Sequence, residues 1–463
     1  MRNFFPPLVL LESIHETCSR RADPKAAEAP PNPNQRAEGR FQTFVNKLAH
    51  ICDYRPKGDT VTALAVLVDE NGRVLYLFAS NRRTRADLNK TRQDLIAILN
   101  LLRENLQSET RVPDPVLNIR LLRQVLAANT ARVQGYLSAL SKELKSCIKS
   151  CEGETAPQDF RTAARALERL LQAIPDTKEA GRNSDEFVTS TIQCIQTVQE
   201  YRTLPIQHFI EKQAATSERL GTAESWSNLQ HVIGRLLSYQ YDVETLISAH
   251  HIWGDTELFG DFDVDFLPSS EPYPASATRI TPETVESIIK RTPHASEAQL
   301  EMLRQHATDL QPFNLDGMLE KQWKRKIEPI VHAEVLLHDW LSRTPGGLQE
   351  ARFFSNWRYI GTSKPICRLC QYYFTIIATP VRFRDGHPNT YLHWRPPDVR
   401  VREGSDVEQE KAFWRSVMDQ MKTRVYLDVR RMLVEKATDK KRNDSNTNTD
   451  RITLDGLLSN LNL

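Results

Sequence analysis

The chain has 463 residues, of which 40% are apolar and 26% charged, with a formal net charge of +2. Its length exceeds what one hydrophobic core usually organises, so two or three structural units, or one domain with a large insertion, are expected. No run approaches the roughly 18 apolar residues of a membrane span, and the near-neutral balance gives no long-range field for a polyanionic partner, so nucleic acid is neither indicated nor excluded.

Seven cysteines (Cys18, Cys52, Cys147, Cys151, Cys194, Cys367 and Cys370) make an odd, scattered set. That pattern is unlike the disulfide framework of a small secreted domain and favours an intracellular setting, cytoplasmic or nuclear. Phe4 to Leu11 is apolar, but Pro6 and Pro7 interrupt it and no cleavage pattern follows, so it does not read as a secretory signal. Cys18 to Arg40, with Pro24, Pro30, Pro31 and Pro33, reads as a linker.

Phe41, Phe44, Val45, Leu48 and Ile51 recur at spacings of three and four and predict an amphipathic helix between Gly39 and Tyr54. The β-rich runs Val61 to Val68 and Val74 to Phe78 flank Asp69-Glu70-Asn71-Gly72, which predicts a β-hairpin. Beyond Asn81 the pattern turns helical, with apolar stripes around Leu95 to Leu102, Leu117 to Leu144, Phe160 to Ile174, Glu186 to Tyr201 and Ser225 to His250. Cys147 and Cys151 lie in this region as half-buried apolar fillers. No strand signal interrupts it, so an antiparallel helical bundle is expected.

Gly254 to Thr281 is rich in Pro, Ser and Asp and reads as loop. Its acidic run, Asp255, Glu257, Asp261, Asp263 and Asp265, lacks the spacing of a calcium loop and reads as solvated loop charge. Helices are expected at Pro282 to Lys290, at Ser296 to Asp309, and over Val407 to Lys436. Phe413, Trp414, Val417, Met421, Val425 and Leu427 should pack the last of these on the domain. The basic clusters Lys324-Arg325-Lys326 and Lys440-Lys441-Arg442 read as solvated surface, and a short helix is expected at Leu454 to Leu461.

The chemistry concentrates between two further elements. Val331 to Leu341 reads as a helix entered at Pro329, with His332 and Glu334 in its first turn. The strand-like Trp357 to Thr362 then leads through Ser363-Lys364-Pro365-Ile366 into Cys367-Arg368-Leu369-Cys370 and an apolar helix. A Cys-x-x-Cys at a helix N-terminus favours thiolates and metal ligation. One His and two Cys leave the fourth tetrahedral position of Zn²⁺ open, as in a catalytic site. Glu334 need not bind metal and can act as the proton shuttle of a hydrolytic deamination. Two other readings stay open: a structural zinc site completed by His338, His387 or His393, and a redox cysteine pair.

The order His-x-Glu, strand, Cys-x-x-Cys resembles the zinc-dependent nucleoside and nucleic-acid deaminase superfamily, with Pro365 displaced by one position from its signature. The long helical stretch, the Gly361-Thr362-Ser363-Lys364 lead-in and His393-Trp394-Arg395-Pro396-Pro397 resemble the OTT-type deaminases of fungi. The resemblance implies an α/β fold, a cytidine-deaminase-like three-layer α/β/α sandwich with a mixed sheet, interrupted by a large all-helical insertion. It divides the chain into an N-terminal segment and linker (1–38), a first part of the deaminase domain (39–82), a helical insertion (83–320), a second part with the zinc site (321–403), and a C-terminal helix with a polar tail (404–463).

It implies Zn²⁺ held by His332, Cys367 and Cys370, with zinc-bound hydroxide as nucleophile and Glu334 as proton shuttle. The substrate would be a cytosine- or adenine-type base, free or polymeric. Asn81 matches a place where the superfamily presents a polar residue to substrate, and Lys364 and Trp394 are further candidate contacts. Tyr372 and Trp394 either stack on a base or pack in the core. The alternative function is an inactive zinc scaffold whose helical insertion binds a protein partner.

Overall fold

The first helix is one that the sequence conceals. The structure, a computed structural model, describes residues 3–19, 37–56, 58–152, 157–177, 184–216, 223–273, 281–398 and 407–436. It opens with α1, Phe5–Ser19, where the sequence suggests an interrupted apolar run leading into linker. Pro6 and Pro7 fall in the first turn, where no intrahelical partner is lost and the fixed φ suits the helix, so they start α1 instead of breaking it. Every side chain from Phe5 to His15 is buried.

Helix α2, Ala37–Ile51, buries the expected stripe of Phe41, Phe44, Val45, Leu48 and Ile51. The expected hairpin follows as β1, Thr62–Val68, and β2, Val74–Ser80, with Val68 opposite Val74 and Thr62 opposite Ser80. In its loop the Asp69 carboxylate accepts the backbone N–H groups of Asn71 and Arg73 at 2.9 and 2.8 Å. Gly72 takes a φ of 80° there, which a side chain would resist.

Seven helices come next: α3 (Arg85–Gln107), α4 (Asp114–Ala128), α5 (Thr130–Cys151), α6 (Gln158–Gln172), α7 (Ser184–Tyr201), α8 (Pro205–Thr216) and α9 (Ala223–Trp253). They share one apolar core with α2 and one face of the hairpin. The helical run around Leu117 to Leu144 is divided at Asn129, whose amide donates to the carbonyls of Ile51 and Val125. Cys147 and Cys151 are fully buried, not half-buried, and burial pushes their thiols up to about 12 and about 11.

The loop expected over 254–281 contains a strand, β3, Phe262–Phe266, which pairs in parallel with β2. Phe262 and Val264 are buried while Asp263 and Asp265 point outward, the period of two of a half-covered strand. Part of the acidic run is therefore the wet face of a sheet edge, and Arg73 bridges Asp261 and Asp263 at 3.2 and 3.1 Å. Arg92 of α3 donates to the Val264 carbonyl at 2.6 Å.

The remaining elements are α10 (Val285–Ile289), α11 (Glu297–Thr308), α12 (Leu315–Trp323), α13 (Ala333–Arg343), β4 (Tyr359–Thr362), α14 (Arg368–Ile376), β5 (Arg382–Phe383) and α15 (Val407–Glu435). The chain is thus mixed α/β, with a five-stranded mixed sheet in the order β3-β2-β1-β4-β5. β1 runs antiparallel to β2 and β4, and β5 runs parallel to β4.

Alternation along β1 covers the sheet on both faces. Leu64 and Val66 join the α2 core, whereas Ala63, Ala65 and Leu67 pack with Ala333, Leu337 and Leu341 of α13. At Gly361, β4 meets α2 so closely that a Cβ would lie 2.8 Å from the Val45 carbonyl carbon.

A third core joins α1, α10, α11, α12, α14 and α15. On α15, Trp414, Val417, Met421 and Val425 are buried as expected, but Phe413 and Leu427 face outward. Among the described residues no helix is long and apolar enough to cross a membrane. Lys440-Lys441-Arg442 and the helix expected at Leu454 to Leu461 lie outside the described residues.

Candidate metal centre and active site

Two helix starts converge beneath the sheet. His332 is the N-cap residue of α13 and Cys367 that of α14; both hold extended backbone, and neither side chain caps its own helix. Their side chains are therefore available to each other. Glu334 lies in the first turn of α13 and Cys370 in the first turn of α14. All four are buried, with exposures of 7% or less.

The three proposed ligand atoms form a nearly equilateral triangle. His332 Nδ1 lies 3.6 Å from Cys367 Sγ and 3.4 Å from Cys370 Sγ, and the two sulfurs are 3.5 Å apart. Tetrahedral zinc, with Zn–S near 2.3 Å and Zn–N near 2.0–2.1 Å, requires edges of about 3.5–3.8 Å. The protein groups fit that cation. They are the one group of three or more such residues that could hold a metal ion among the described residues.

The histidines of the structural-zinc reading are occupied elsewhere. His338 Nε2 meets Thr379 Oγ1 at 2.7 Å, His387 Nδ1 accepts the Asn389 N–H, and His393 Nδ1 accepts the Glu328 N–H. Three ligands, not four, are assembled, which suits an open coordination position.

The electrostatics follow from burial and from mutual charge. Burial alone would raise Cys367, but the Cys370 thiol and His332 hold it well below an ordinary thiol. Burial opposes a charge on His332, yet the Cys367 thiolate raises it. Cys370 is pushed well up by burial and by Cys367 and Glu334. Burial also raises the Glu334 carboxyl, against the pull of His332 and with the push of Cys367. A buried carboxyl raised in this way is suited to carry a proton in a reaction cycle.

Asn81, at the end of β2, supplies what His332 does not. Its Oδ1 accepts the Ala333 N–H at 2.9 Å and its Nδ2 donates to the Gly58 carbonyl at 2.9 Å. The hairpin thereby caps α13 across the chain. Lys364 is partly buried; burial opposes ionisation of Asp53, but Arg132 and Lys364 overcome it. Trp394 is fully buried, with its ring 6.0 Å from Phe4 and 6.3 Å from Tyr373. Tyr372 lies on α14 and donates its hydroxyl to Asp428 of α15.

The structure also brings in residues that no motif marks. Tyr391 sits with its ring 6.2 Å from that of His332 and 5.8 Å from that of His387. The segment bearing it has no periodicity, so only the folded chain reveals its place.

A buried His-Cys-Cys triangle with a carboxyl two residues beyond the histidine has the form of a deaminase metal centre. A family model described as OTT_1508-like deaminase matches residues 331–398, the stretch that contains His332, Glu334, Cys367 and Cys370. No curated protein and no solved structure matches the chain.

Proposed function

We propose that the protein is a zinc-dependent hydrolytic deaminase acting on a cytosine- or adenine-type base in a nucleoside, nucleotide or nucleic acid. The observation that carries this reading is the ligand triangle with Glu334 beside it, inside the segment that matches a deaminase family. His332, Cys367 and Cys370 would hold the ion. Zinc so held supplies Lewis acidity that makes water a nucleophile near neutral pH.

Glu334 takes a proton from the attacking water on its carboxylate oxygen and delivers it to the ring nitrogen. Glu334 then passes the proton of the newly added hydroxyl to the exocyclic amine, the C–N bond breaks and ammonia leaves, so that base and water yield carbonyl and ammonia. Asn81 holds the α13 N-terminus, and with it His332 and Glu334, against the hairpin. In this reading residues 39–82 and 321–403 are the two parts of a cytidine-deaminase-like domain and the helices of 83–320 are an insertion, one that also lends β3 to the sheet. Lys364 stays a candidate substrate contact, whereas Trp394, packed between Phe4 and Tyr373, belongs to the core; the setting is intracellular.

The test is ammonia release from nucleosides, nucleotides and single strands, with zinc content measured alongside. Glu334→Ala should keep one zinc per chain and lose at least about 100-fold in rate, the usual minimum for a positioned acid–base group. Undiminished release by Glu334→Ala would sink the reading.

A further inference from the structure

Helix α1 takes no part in the sheet, yet it carries a buried carboxyl that the chemistry does not use. Glu12 is 6% exposed, and its Oε2 accepts the hydroxyl of Thr390 at 2.9 Å, 378 residues along the chain. His15 lies one turn away, with Nδ1 3.8 Å from the same oxygen.

Thr390 ends a short backbone clamp on the ligand Cys367. The His387 N–H donates to the Ile366 carbonyl at 2.9 Å, and the Asn389 carbonyl accepts the Arg368 N–H at 3.1 Å, so hydrogen bonds flank Cys367 on both sides. His387 pairs with Cys367 as an isolated parallel bridge, and the Asn389 N–H closes the segment on His387 Nδ1 at 3.1 Å. The next residue, Tyr391, stands beside His332. The segment is not part of any strand or helix; these bonds tie it to the backbone on both sides of Cys367, and Thr390 ties it to Glu12. Phe4 against Trp394 adds a second contact between the N-terminal segment and this loop.

We infer that Glu12 is a positioning residue for the metal centre: through Thr390 it fixes the 387–391 segment that holds Cys367 in ligating geometry and Tyr391 against His332. The inference rests on the metal reading above. Groups that orient metal ligands without touching the ion typically change affinity by 10–100-fold when lost.

The experiment uses the full chain loaded with Co²⁺, whose thiolate charge-transfer and d–d bands report the ligand field, with affinity read by chelator competition. The native chain should bind one Co²⁺ in a tetrahedral thiolate field. Glu12→Ala and Thr390→Val should each shift the d–d bands and weaken binding at least about 10-fold. Thr390→Ser, which keeps the hydroxyl, should match the native chain, and the double variant should be no worse than either single one. Native bands and affinity in Glu12→Ala and Thr390→Val would overturn the inference, even with a lowered Tm. If Glu12→Ala does not fold, the Thr390→Val and Thr390→Ser pair decides alone. Absence of thiolate bands in the native chain would overturn the metal reading and this inference together, and that failure is distinct because it precedes any substitution.

Discussion

His338 shares helix α13 with Glu334 but faces a different environment. It is 4% exposed, among the rings of Phe374 at 5.4 Å, Phe383 at 6.1 Å and Tyr373 at 6.5 Å. Burial pushes its imidazole down to about 4, against about 6.5 in an unfolded chain. Between those values the unfolded chain binds the extra proton, so stability is complete above about pH 6.5 and is lost as pH falls towards 4, by up to about 3 kcal/mol. His338→Gln should flatten that acid limb when urea midpoints are followed from pH 7 to pH 4; an unchanged slope would assign the limb to other groups. The grouping of His332, Cys367 and Cys370 is legible in the sequence because residue types able to hold a metal ion stand there at restricted spacings beside helix starts. Glu12 and Thr390 are not, because a hydrogen bond across 378 residues leaves no local pattern.

Elements that satisfy themselves locally are the ones the sequence announces. The hairpin is such a case: the continuous β-rich apolar runs of β1 and β2 and the Asp69 to Gly72 turn chemistry lie within one local stretch. β3 instead alternates, with aspartates outward, and charge at those positions reads as loop until β2 is there to pair with it. α1 is hidden for the opposite reason. It is covered on all sides by α10, α12 and α15, so it shows no polar stripe and its prolines dominate the pattern. Gly361 marks where β4 rests on α2, and a Cβ there would meet the Val45 side chain at 2.6 Å and backbone at 2.8 Å. Gly361→Ala should therefore cost about 3 kcal/mol, near the top of the usual range for overpacking, because backbone cannot swing aside. Urea denaturation of the metal-free chain measures this, and a cost below about 1 kcal/mol would show that the two elements separate freely.

Helix α2 and the helices that follow the hairpin are tied by a buried ion pair as well as by apolar contact. Asp53 at the end of α2 is fully buried and meets Arg132 of α5 at 2.8 Å, while Thr60 donates its hydroxyl to the same carboxylate at 2.6 Å. Nearby, His50 and Lys47 of α2 both reach Asp242 of α9, at 2.5 and 3.3 Å. Removing one partner of such a pair strands a charge away from water. Arg132→Met should cost about 3–5 kcal/mol, and Asp53→Leu in the same chain should restore part of that loss. Additive losses in thermal or urea unfolding would show that the two residues do not act as a pair. These ties were not legible in the sequence, since charged residues on amphipathic helices read as solvated until a partner helix covers them.

The strand order has a consequence for synthesis. β1 receives its second neighbour only when β4 arrives, and Thr62 donates to Ser363 across 301 residues. At about 5–20 residues per second, the hairpin waits roughly 15–60 s on the ribosome before β4 closes it. β3 covers the other edge sooner, yet a parallel strand closing a loop of this length is itself a slow step. Until β3 and β4 arrive, the hairpin's two edges are open to mispairing, because the early helices bury its α2 face but leave its edge N–H and C=O groups unpaired.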